Sequence, residues 1–138
     1  NKTISKKLNQ ANNNSVMPIL CIGESAEENE RNDTFDVLKF QIDEALKDLF
    51  KHSSLIIAYE PVWSIGTGKI PNLIELEETI QFIKNKFNKI SPKILYGGSV
   101  NPNNVKNLKM IKNLDGFLIG GASQNSKKFI DIIKKTYN

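Results

Sequence analysis

The stretch that decides the fold is residues 55–68, which read Leu-Ile-Ile-Ala-Tyr-Glu-Pro-Val-Trp-Ser-Ile-Gly-Thr-Gly. Its first five residues are typical of a buried strand, and Glu60 follows directly. Enzymes built on parallel sheets place catalytic residues at the carboxyl ends of such strands. The segment after Glu60 starts at the rigid Pro61 and reaches a tip that carries Gly66 and Gly68. The pattern predicts a carboxylate at the edge of a parallel sheet, attached to a loop that moves as a unit.

Apolar runs and helical patterns alternate on both sides of this stretch. The predicted strands are residues 19–22, 55–59, 93–96 and 116–119. Apolar residues at every third or fourth position predict helices over residues 1–11, 35–49, 73–87 and 102–108. A last helix, near the end of the chain, carries Phe129, Ile132 and Ile133. Apolar strands interleaved with helices imply a parallel sheet covered by helices. Four such units preceded by a helix fit either a small open sheet or half of an eight-stranded barrel.

Composition restricts the class of protein. The 138 residues are 39% hydrophobic and 25% charged, as expected for one globular domain. No apolar run approaches the roughly 18 residues of a membrane span, so we expect no membrane partner. The single cysteine, Cys21, excludes an internal disulfide and favours a cytoplasmic location. The first residue is Asn1 rather than methionine, which suggests a processed or truncated start.

The net charge of +4 does not indicate a nucleic-acid partner. Of the 19 basic residues only Arg31 is arginine, and the lysines are scattered over surface-like helical positions. Specific nucleic-acid binding usually depends on arginine side chains and clustered basic faces. Scattered lysine is typical of a solvated surface, and at most steers small anionic substrates towards the protein.

Each predicted strand ends in a distinctive peptide, and parallel strands bring these peptides to one edge. They are Gly23-Glu24, Glu60, Gly97-Gly98-Ser99 and Gly120-Gly121. A glycine pair before a helix leaves backbone N–H groups free to approach an anion, and the helix dipole favours negative charge there. One such pair is more often a tight turn, but two pairs beside a carboxylate favour a phosphate site.

Four peptides carry a resemblance to one family. They are residues 18–24 (Pro-Ile-Leu-Cys-Ile-Gly-Glu), 58–68, 96–100 (Tyr-Gly-Gly-Ser-Val) and 116–123 (Gly-Phe-Leu-Ile-Gly-Gly-Ala-Ser). In order and spacing they resemble triosephosphate isomerase over essentially the whole chain. The resemblance implies an α/β TIM barrel, (β/α)8, of which residues 1–138 form a partial domain, the carboxyl-terminal half. That half comprises the last four βα units and one preceding helix.

The resemblance also implies site residues. Glu60 matches the catalytic base, and the backbone N–H groups of Gly66, Ser99, Gly120 and Gly121 match those that hold the substrate phosphate. The implied substrates are dihydroxyacetone phosphate and glyceraldehyde 3-phosphate, interconverted through an enediolate without metal or organic cofactor. The family is a homodimer, and its main dimer loop lies in the half that this chain lacks.

The loop after the base is also implied to have a defined behaviour. Residues 61–63 match a rigid hinge, and Glu24 resembles a position that contacts the loop tryptophan when the loop is open. The sequence departs from the family at Lys69-Ile70-Pro71, where the family commonly has small residues, so Pro71 is expected to stiffen the second hinge.

A second departure concerns the electrophile. The family's lysine and histidine near the substrate oxygens lie on the first half of the barrel, and the one histidine here, His52, is expected to be structural or on the surface. Cys21 is expected to be a small buried residue. The leading hypothesis is therefore an isomerase that needs the other half of the barrel. The alternatives are a (βα)4 module that binds phosphate without catalysis, and an inert remnant.

Overall fold

Four short parallel strands form one sheet. The structure, a computed structural model, describes residues 2–47, 55–87 and 91–138. The strands are β1 (Ile19–Ile22), β2 (Ile56–Tyr59), β3 (Lys93–Tyr96) and β4 (Gly116–Phe117). They lie side by side in chain order, with Ile19 opposite Ile56 and Ile57 opposite Ile94. Each strand is added on the same side of the one before it, as in a barrel. In a doubly wound open sheet, by contrast, the strand order reverses at one point.

Six helices accompany the sheet in the described ranges. They are α1 (Lys2–Asn13), α2 (Ala26–Glu30), α3 (Thr34–Leu46), α4 (Leu73–Asn85), α5 (Val105–Leu108) and α6 (Ser126–Tyr137). Helix α3 packs against β1, α1 and α4, and α5 packs against α6. None of these helices is both long and apolar enough to cross a lipid bilayer.

The core lies between the sheet and the helices. Alternate strand side chains are buried there, namely Leu20, Ile22, Ile57, Tyr59, Ile94 and Tyr96. The helices contribute the predicted stripes, namely Leu38, Ile42 and Ala45 of α3, Leu76, Ile80 and Ile83 of α4, and Val105 and Leu108 of α5. Each fully buried large aliphatic side chain contributes about 1.5–3 kcal/mol to folding. The predicted periodicity is thus confirmed for these residues of the three helices. It is wrong for the first residues of two stripes, because Phe35 and Leu73 are exposed.

The opposite face of the sheet is open at β1, and this corrects the prediction for Cys21. Ile19 and Cys21 are exposed, whereas Leu20 and Ile22 are buried. Strand side chains alternate between the two faces, so Cys21 points away from the face that α3 covers. The expectation of a buried Cys21 is therefore wrong, because an apolar run predicts a strand but not which of its faces is covered.

Some predicted bounds also change. Helix α1 continues to Asn13, and β4 ends at Phe117 instead of continuing to residue 119. Helix α5 starts only at Val105, because the Asn101 side chain accepts hydrogen bonds from the N–H groups of residues 103 and 104 and forms a turn. Helix α2 was not predicted, and a capping box of Ser25 and Glu28 closes its first turn.

Two further predictions concern side chains. The predicted last helix is present as α6, in which Ile132 is buried and Phe129 and Ile133 are exposed. His52, which is expected to be structural or on the surface, lies outside the described residues, as do residues 48 and 49 at the end of the helix predicted over 35–49.

Candidate active site

The sheet register brings Glu60 and the glycine peptides to one edge. The N–H group of Glu60 donates to the carbonyl of Ile22 at 2.7 Å, and the N–H group of Gly97 donates to the carbonyl of Tyr59 at 2.8 Å. These bonds continue the parallel ladder one residue beyond β2 and β3. The backbone position of Glu60 is therefore fixed by the strands on both sides of β2.

The half-buried side chain of Glu60 lies against the next strand end. A Cβ atom at Gly97 would stand 2.6 Å from both Cγ and Oε1 of Glu60, so only glycine permits this approach. Glu60 lines a cavity of about 290 Å³ together with Cys21, Gln41 and Val62. The carboxylate is thus accessible to a small molecule at the open face of the sheet.

Cys21 faces this carboxylate. Although Cys21 is exposed, the groups around its sulfur keep part of the water away and so raise the pKa of the thiol, and the nearby Glu60 carboxylate raises this pKa further. The thiol is consequently protonated at neutral pH and can donate a hydrogen bond to Glu60. It is not an activated nucleophile, because activation requires a lowered thiol pKa.

The residues predicted to hold phosphate line one cavity of about 580 Å³. Gly66, Ser99, Gly120 and Gly121 all contribute to its wall, as does the exposed Lys128 of α6. A Cβ atom at Gly120 or Gly121 would meet no described atom within 4 Å, so their backbone borders open space. The structure thus brings the four predicted residues together, while their role in binding stays a prediction.

One of the predicted N–H donors is already engaged. The N–H group of Ser99 donates to the hydroxyl oxygen of Ser64 at 3.2 Å. A phosphate oxygen is charged and forms shorter, stronger hydrogen bonds than a neutral hydroxyl. A phosphate in this cavity would therefore have to displace a long neutral hydrogen bond at Ser99.

Residues 61–71, which we call the lid, connect the two cavities. At the first end of the lid, Trp63 Nε1 donates to Oε1 of the fully buried Glu24 at 2.8 Å. At the tip, the N–H group of Gly68 donates to Ser99 Oγ at 2.9 Å. The predicted contact between Glu24 and the tryptophan is therefore present while the tip is bonded to Ser99. That this contact belongs to an open lid stays a prediction.

The tip glycines have a conformational requirement. Gly66 and Gly68 have φ values of +71° and +81°, a region that side-chain-bearing residues rarely adopt. This explains the two glycines at the tip independently of any contact with a ligand.

Two residues of this site were not identified from the sequence. The Gln41 side chain accepts from the N–H group of Gly23 and donates to its carbonyl, both at 2.9 Å, and so clamps the end of β1. In the sequence, the only indication of this role is that Gln41 is polar and lies within the apolar stripe of α3. The Ser64 hydroxyl contacts Lys69, Tyr96 and Ser99, and nothing in its local sequence indicates this.

The described residues place a carboxylate in this cavity but no cationic or imidazole side chain beside it. The cavity that contains Glu60 is lined by no lysine or histidine of the part of the chain that the structure describes. No group of three or more potential metal-ligating side chains (His, Cys, Asp or Glu) occurs in that part either.

Comparisons with known proteins identify one family. The family model for triosephosphate isomerase matches residues 1–136. The chain is 45% identical over 131 residues to the triosephosphate isomerase of Mycoplasma mobile, covering 95% of this chain and 54% of that protein. It is 39% identical over 137 residues to that of Thermodesulfovibrio yellowstonii, covering 95% and 56%.

A third relative gives the same picture. The chain is 44% identical over 140 residues to the triosephosphate isomerase of Mycoplasmoides gallisepticum, covering 95% of this chain and 56% of that protein. The chain therefore spans about half the length of the curated relatives that it matches. Since the family model covers nearly every residue, the chain belongs to the triosephosphate isomerase family.

Proposed function

We propose that residues 1–138 are the carboxyl-terminal half of a TIM barrel, and that this barrel interconverts dihydroxyacetone phosphate and glyceraldehyde 3-phosphate. The observation that carries the proposal is the position of the Glu60 carboxylate against Gly97, whose backbone also lines the cavity of the predicted phosphate donors. The Glu60 carboxylate lies on one side of Gly97, and the cavity of the predicted phosphate donors lies on the other. This arrangement suits a substrate whose phosphate is a few bonds away from its reacting carbons.

Glu60 acts as the base in this proposal. Its carboxylate removes a proton from the carbon next to the substrate carbonyl, which gives an enediolate, and returns the proton to the neighbouring carbon. No metal or organic cofactor takes part. Cys21 donates a hydrogen bond to the carboxylate and remains neutral.

The phosphate site holds the substrate at a distance from the reacting carbons. The N–H groups of Gly66, Ser99, Gly120 and Gly121 are the proposed donors, and they line one cavity. Binding energy from this remote group can be used to close the lid over the enediolate. A closed lid excludes water and hinders loss of the phosphate from the intermediate.

The enediolate oxygens need an electrophile, and the described residues of this half place no lysine or histidine in the cavity of Glu60. In triosephosphate isomerases a neutral histidine acts beside the glutamate base. One missing donor of this kind costs about 3–4 kcal/mol of transition-state stabilisation. We therefore expect the 138 residues alone to lack enzymatic turnover, and the other half of the barrel to restore it.

Three further assignments follow from family membership alone. We propose a homodimeric assembly of the complete barrel, a cytoplasmic location, and a role in glycolysis and gluconeogenesis. The alternative is a (βα)4 module that binds phosphorylated ligands without turning them over. It is favoured by phosphate-type loops in a part of the barrel whose described residues place no lysine or histidine in the cavity of Glu60.

A chimera tests these proposals. In it, residues 1–138 replace the matching segment of the Mycoplasma mobile relative, which is about 54% of that protein. The chimera and the 138-residue chain are assayed for interconversion of the two triose phosphates, and for binding of inorganic phosphate. We expect an active chimera and an inactive 138-residue chain.

Other outcomes would decide against the proposal. A folded chimera that binds phosphate but gives no turnover would support the binding module. Turnover by the 138-residue chain at an enzymatic rate would contradict the need for an electrophile from elsewhere. The same chimera with Glu60→Gln controls for activity that does not depend on this site.

A further inference from the structure

A single buried hydroxyl joins the two ends of the lid to the body of the protein. The side chain of Ser64, the fourth residue of the lid, is fully buried. Its Oγ donates to the carbonyl of Lys69 at 2.6 Å, lies 3.0 Å from the hydroxyl of Tyr96, and accepts from the N–H group of Ser99 at 3.2 Å. These partners belong to the second half of the lid, to β3 and to the loop after β3.

The hydrogen-bonding capacity of this hydroxyl is completely used. A serine hydroxyl has one donor and two acceptor positions. Because its proton goes to Lys69, the Tyr96 hydroxyl must be the donor in the contact between Ser64 and Tyr96. Burial raises the pKa of Tyr96, which keeps its hydroxyl protonated and able to donate. The Ser99 N–H group fills the remaining acceptor position.

Apolar packing contributes little to holding the lid tip. Residues 65–69 are all exposed, and Ile65 retains 49% of its accessible surface. The tip is instead connected by polar contacts, in which Gly68 donates to Ser99 Oγ and Ser99 Oγ donates to the carbonyl of Ser64. Ser64 therefore takes part in the contacts of both the tip and the second half of the lid.

Gly98 lies against this hydroxyl and could not carry a side chain without displacing it. A Cβ atom at Gly98 would stand 2.6 Å from Ser64 Oγ and would also collide with the Tyr96 hydroxyl. The pair of hydroxyls thus lies directly against the backbone of the glycine loop. If Ser64 loses its hydroxyl, three polar groups from separate segments lose a partner at once.

We propose that Ser64 is a positioning residue that holds the lid in its docked conformation by bridging Lys69, Tyr96 and Ser99. Its effect on catalysis rests on the proposed function, whereas its effect on the lid does not. Ser64 touches no reacting atom and acts through the position of the lid. Removal of its hydroxyl should raise the population of undocked lid while the strands and helices keep their stability.

The test compares hydrogen–deuterium exchange of the parent 138-residue chain with that of Ser64→Ala, Tyr96→Phe and the double variant. Exchange of residues 64–70 should become about 5- to 20-fold faster in Ser64→Ala, since a hydrogen-bonded contact is lost. Tyr96→Phe should have a smaller effect in the same direction. The double variant should exchange about as fast as Ser64→Ala alone, because both substitutions remove the same contact.

Thr136→Val is the matched control. Its hydroxyl donates to the carbonyl of Ile132 at 2.8 Å within α6, far along the chain from the lid. This variant also loses a hydroxyl-to-carbonyl hydrogen bond, and it should leave exchange of residues 64–70 at the parent rate. Exchange in β2 and α4 is followed in every variant, so that general destabilisation is separated from undocking.

The outcomes distinguish this inference from the proposed function. Parental exchange of residues 64–70 in Ser64→Ala would overturn the inference, and so would uniform acceleration across β2, α4 and the lid. Fast lid exchange in a protein whose chimera has no turnover would support the inference and contradict the proposed function. In an active chimera, Ser64→Ala should lower kcat at least about threefold. Inhibition by inorganic phosphate should not weaken, because the Ser99 N–H group loses its bond to Ser64 and becomes free to meet the anion.

Discussion

The side chain of Glu60 lies directly over the Cα atom of Gly97, so that a methyl group at position 97 would stand 2.6 Å from both Cγ and Oε1 of Glu60. Residue 97 follows β3, whereas residue 60 follows β2, and the parallel register places them side by side. The glycine therefore determines how deep the carboxylate lies at the edge of the sheet. A substitution here should move the base without disturbing the strands, because a glutamate side chain can shift more easily than backbone.

Gly97→Ala should reduce catalysis by displacing Glu60. A misplacement of about 1 Å between reacting groups can cost about 100-fold in rate. We therefore expect kcat of the chimera to fall by about 10- to 100-fold, with little change in inhibition by inorganic phosphate. Steady-state kinetics and a thermal melt check this, and a parental kcat would show that the position of Glu60 does not limit the reaction.

Glu60→Gln removes the proposed base while keeping the size of the side chain. Proton transfer by a positioned base contributes about 100- to 10,000-fold to rate. Turnover of the chimera should fall by that amount, and affinity for inorganic phosphate should change little. Retention of more than about a tenth of the parent turnover would remove Glu60 from the mechanism.

Gly121→Val tests the phosphate cavity. No described atom lies within 4 Å of a Cβ at this position, so the new side chain should occupy ligand space without disturbing the fold. Loss of one or two charged hydrogen bonds, at about 1.5–3 kcal/mol each, predicts an increase in KM of at least about tenfold. Gly121→Ala should show a smaller increase.

The two glycine variants together separate the halves of the site. Gly97→Ala is expected to act mainly on kcat, and Gly121→Val mainly on KM. If Gly121→Val leaves both parameters at the parent values, the end of β4 is not part of a phosphate site.

The sequence predicted the parts of this structure that depend on local patterns. The bounds of β1 and β3 and the buried stripes of α3 and α4 follow from apolar periodicity, which each segment carries by itself. The exposure of Cys21 could not be predicted in the same way, because it depends on what covers each face of the sheet. The resemblance implied the contact of Trp63 with Glu24, since both residues lie in family motifs.

Contacts between distant segments account for the rest. Gln41 pairs with Gly23 across 18 residues, and Ser64 pairs with Tyr96 across 32. Neither pairing has a signal in its own neighbourhood, since a glutamine or a serine is ordinary in a helix or a loop. Only the folded register brings the partners together.

Cys21 should report the charge of Glu60 through its pH dependence. Burial and then the Glu60 carboxylate raise the thiol pKa, so Glu60→Gln should lower that pKa while leaving it above the ordinary value. The rate of alkylation by iodoacetamide follows the thiolate fraction. At a fixed mildly alkaline pH, the Glu60→Gln variant should therefore react faster than the parent chain, and an equal rate would show that the two groups do not interact.

The same pKa shift has a consequence for stability. Because the folded chain binds the Cys21 proton more tightly than the unfolded chain, the linked stabilisation is complete below the unfolded-state pKa. It is lost as the pH rises through the folded-state pKa. Cys21→Ala should reduce the alkaline decline in the free energy of unfolding, measured by urea denaturation across this range.

Trp63 is the only tryptophan of the chain, so its fluorescence reports on the lid. Its indole N–H donates to Glu24 at 2.8 Å, and the hydroxyl of Tyr59 lies 3.2 Å from each oxygen of the same carboxylate. Burial raises the pKa of Tyr59, followed by the effect of Glu24, so this hydroxyl stays a donor at accessible pH. A buried carboxylate thus accepts hydrogen bonds from both a core tyrosine and the lid.

Glu24→Gln should weaken this attachment. A hydrogen bond to a charged group is worth about 1.5–3 kcal/mol, and a bond to the neutral amide of glutamine is weaker. The NH₂ group of that amide would also face the donors of Trp63 or Tyr59. We expect lower fluorescence anisotropy of Trp63 and faster collisional quenching by acrylamide. Tyr59→Phe is the control. It removes one hydrogen bond to the same carboxylate and keeps the contact with Trp63. It should therefore change the anisotropy and the quenching less than Glu24→Gln does. Unchanged anisotropy and quenching in Glu24→Gln would show that the tryptophan is held by packing rather than by the carboxylate.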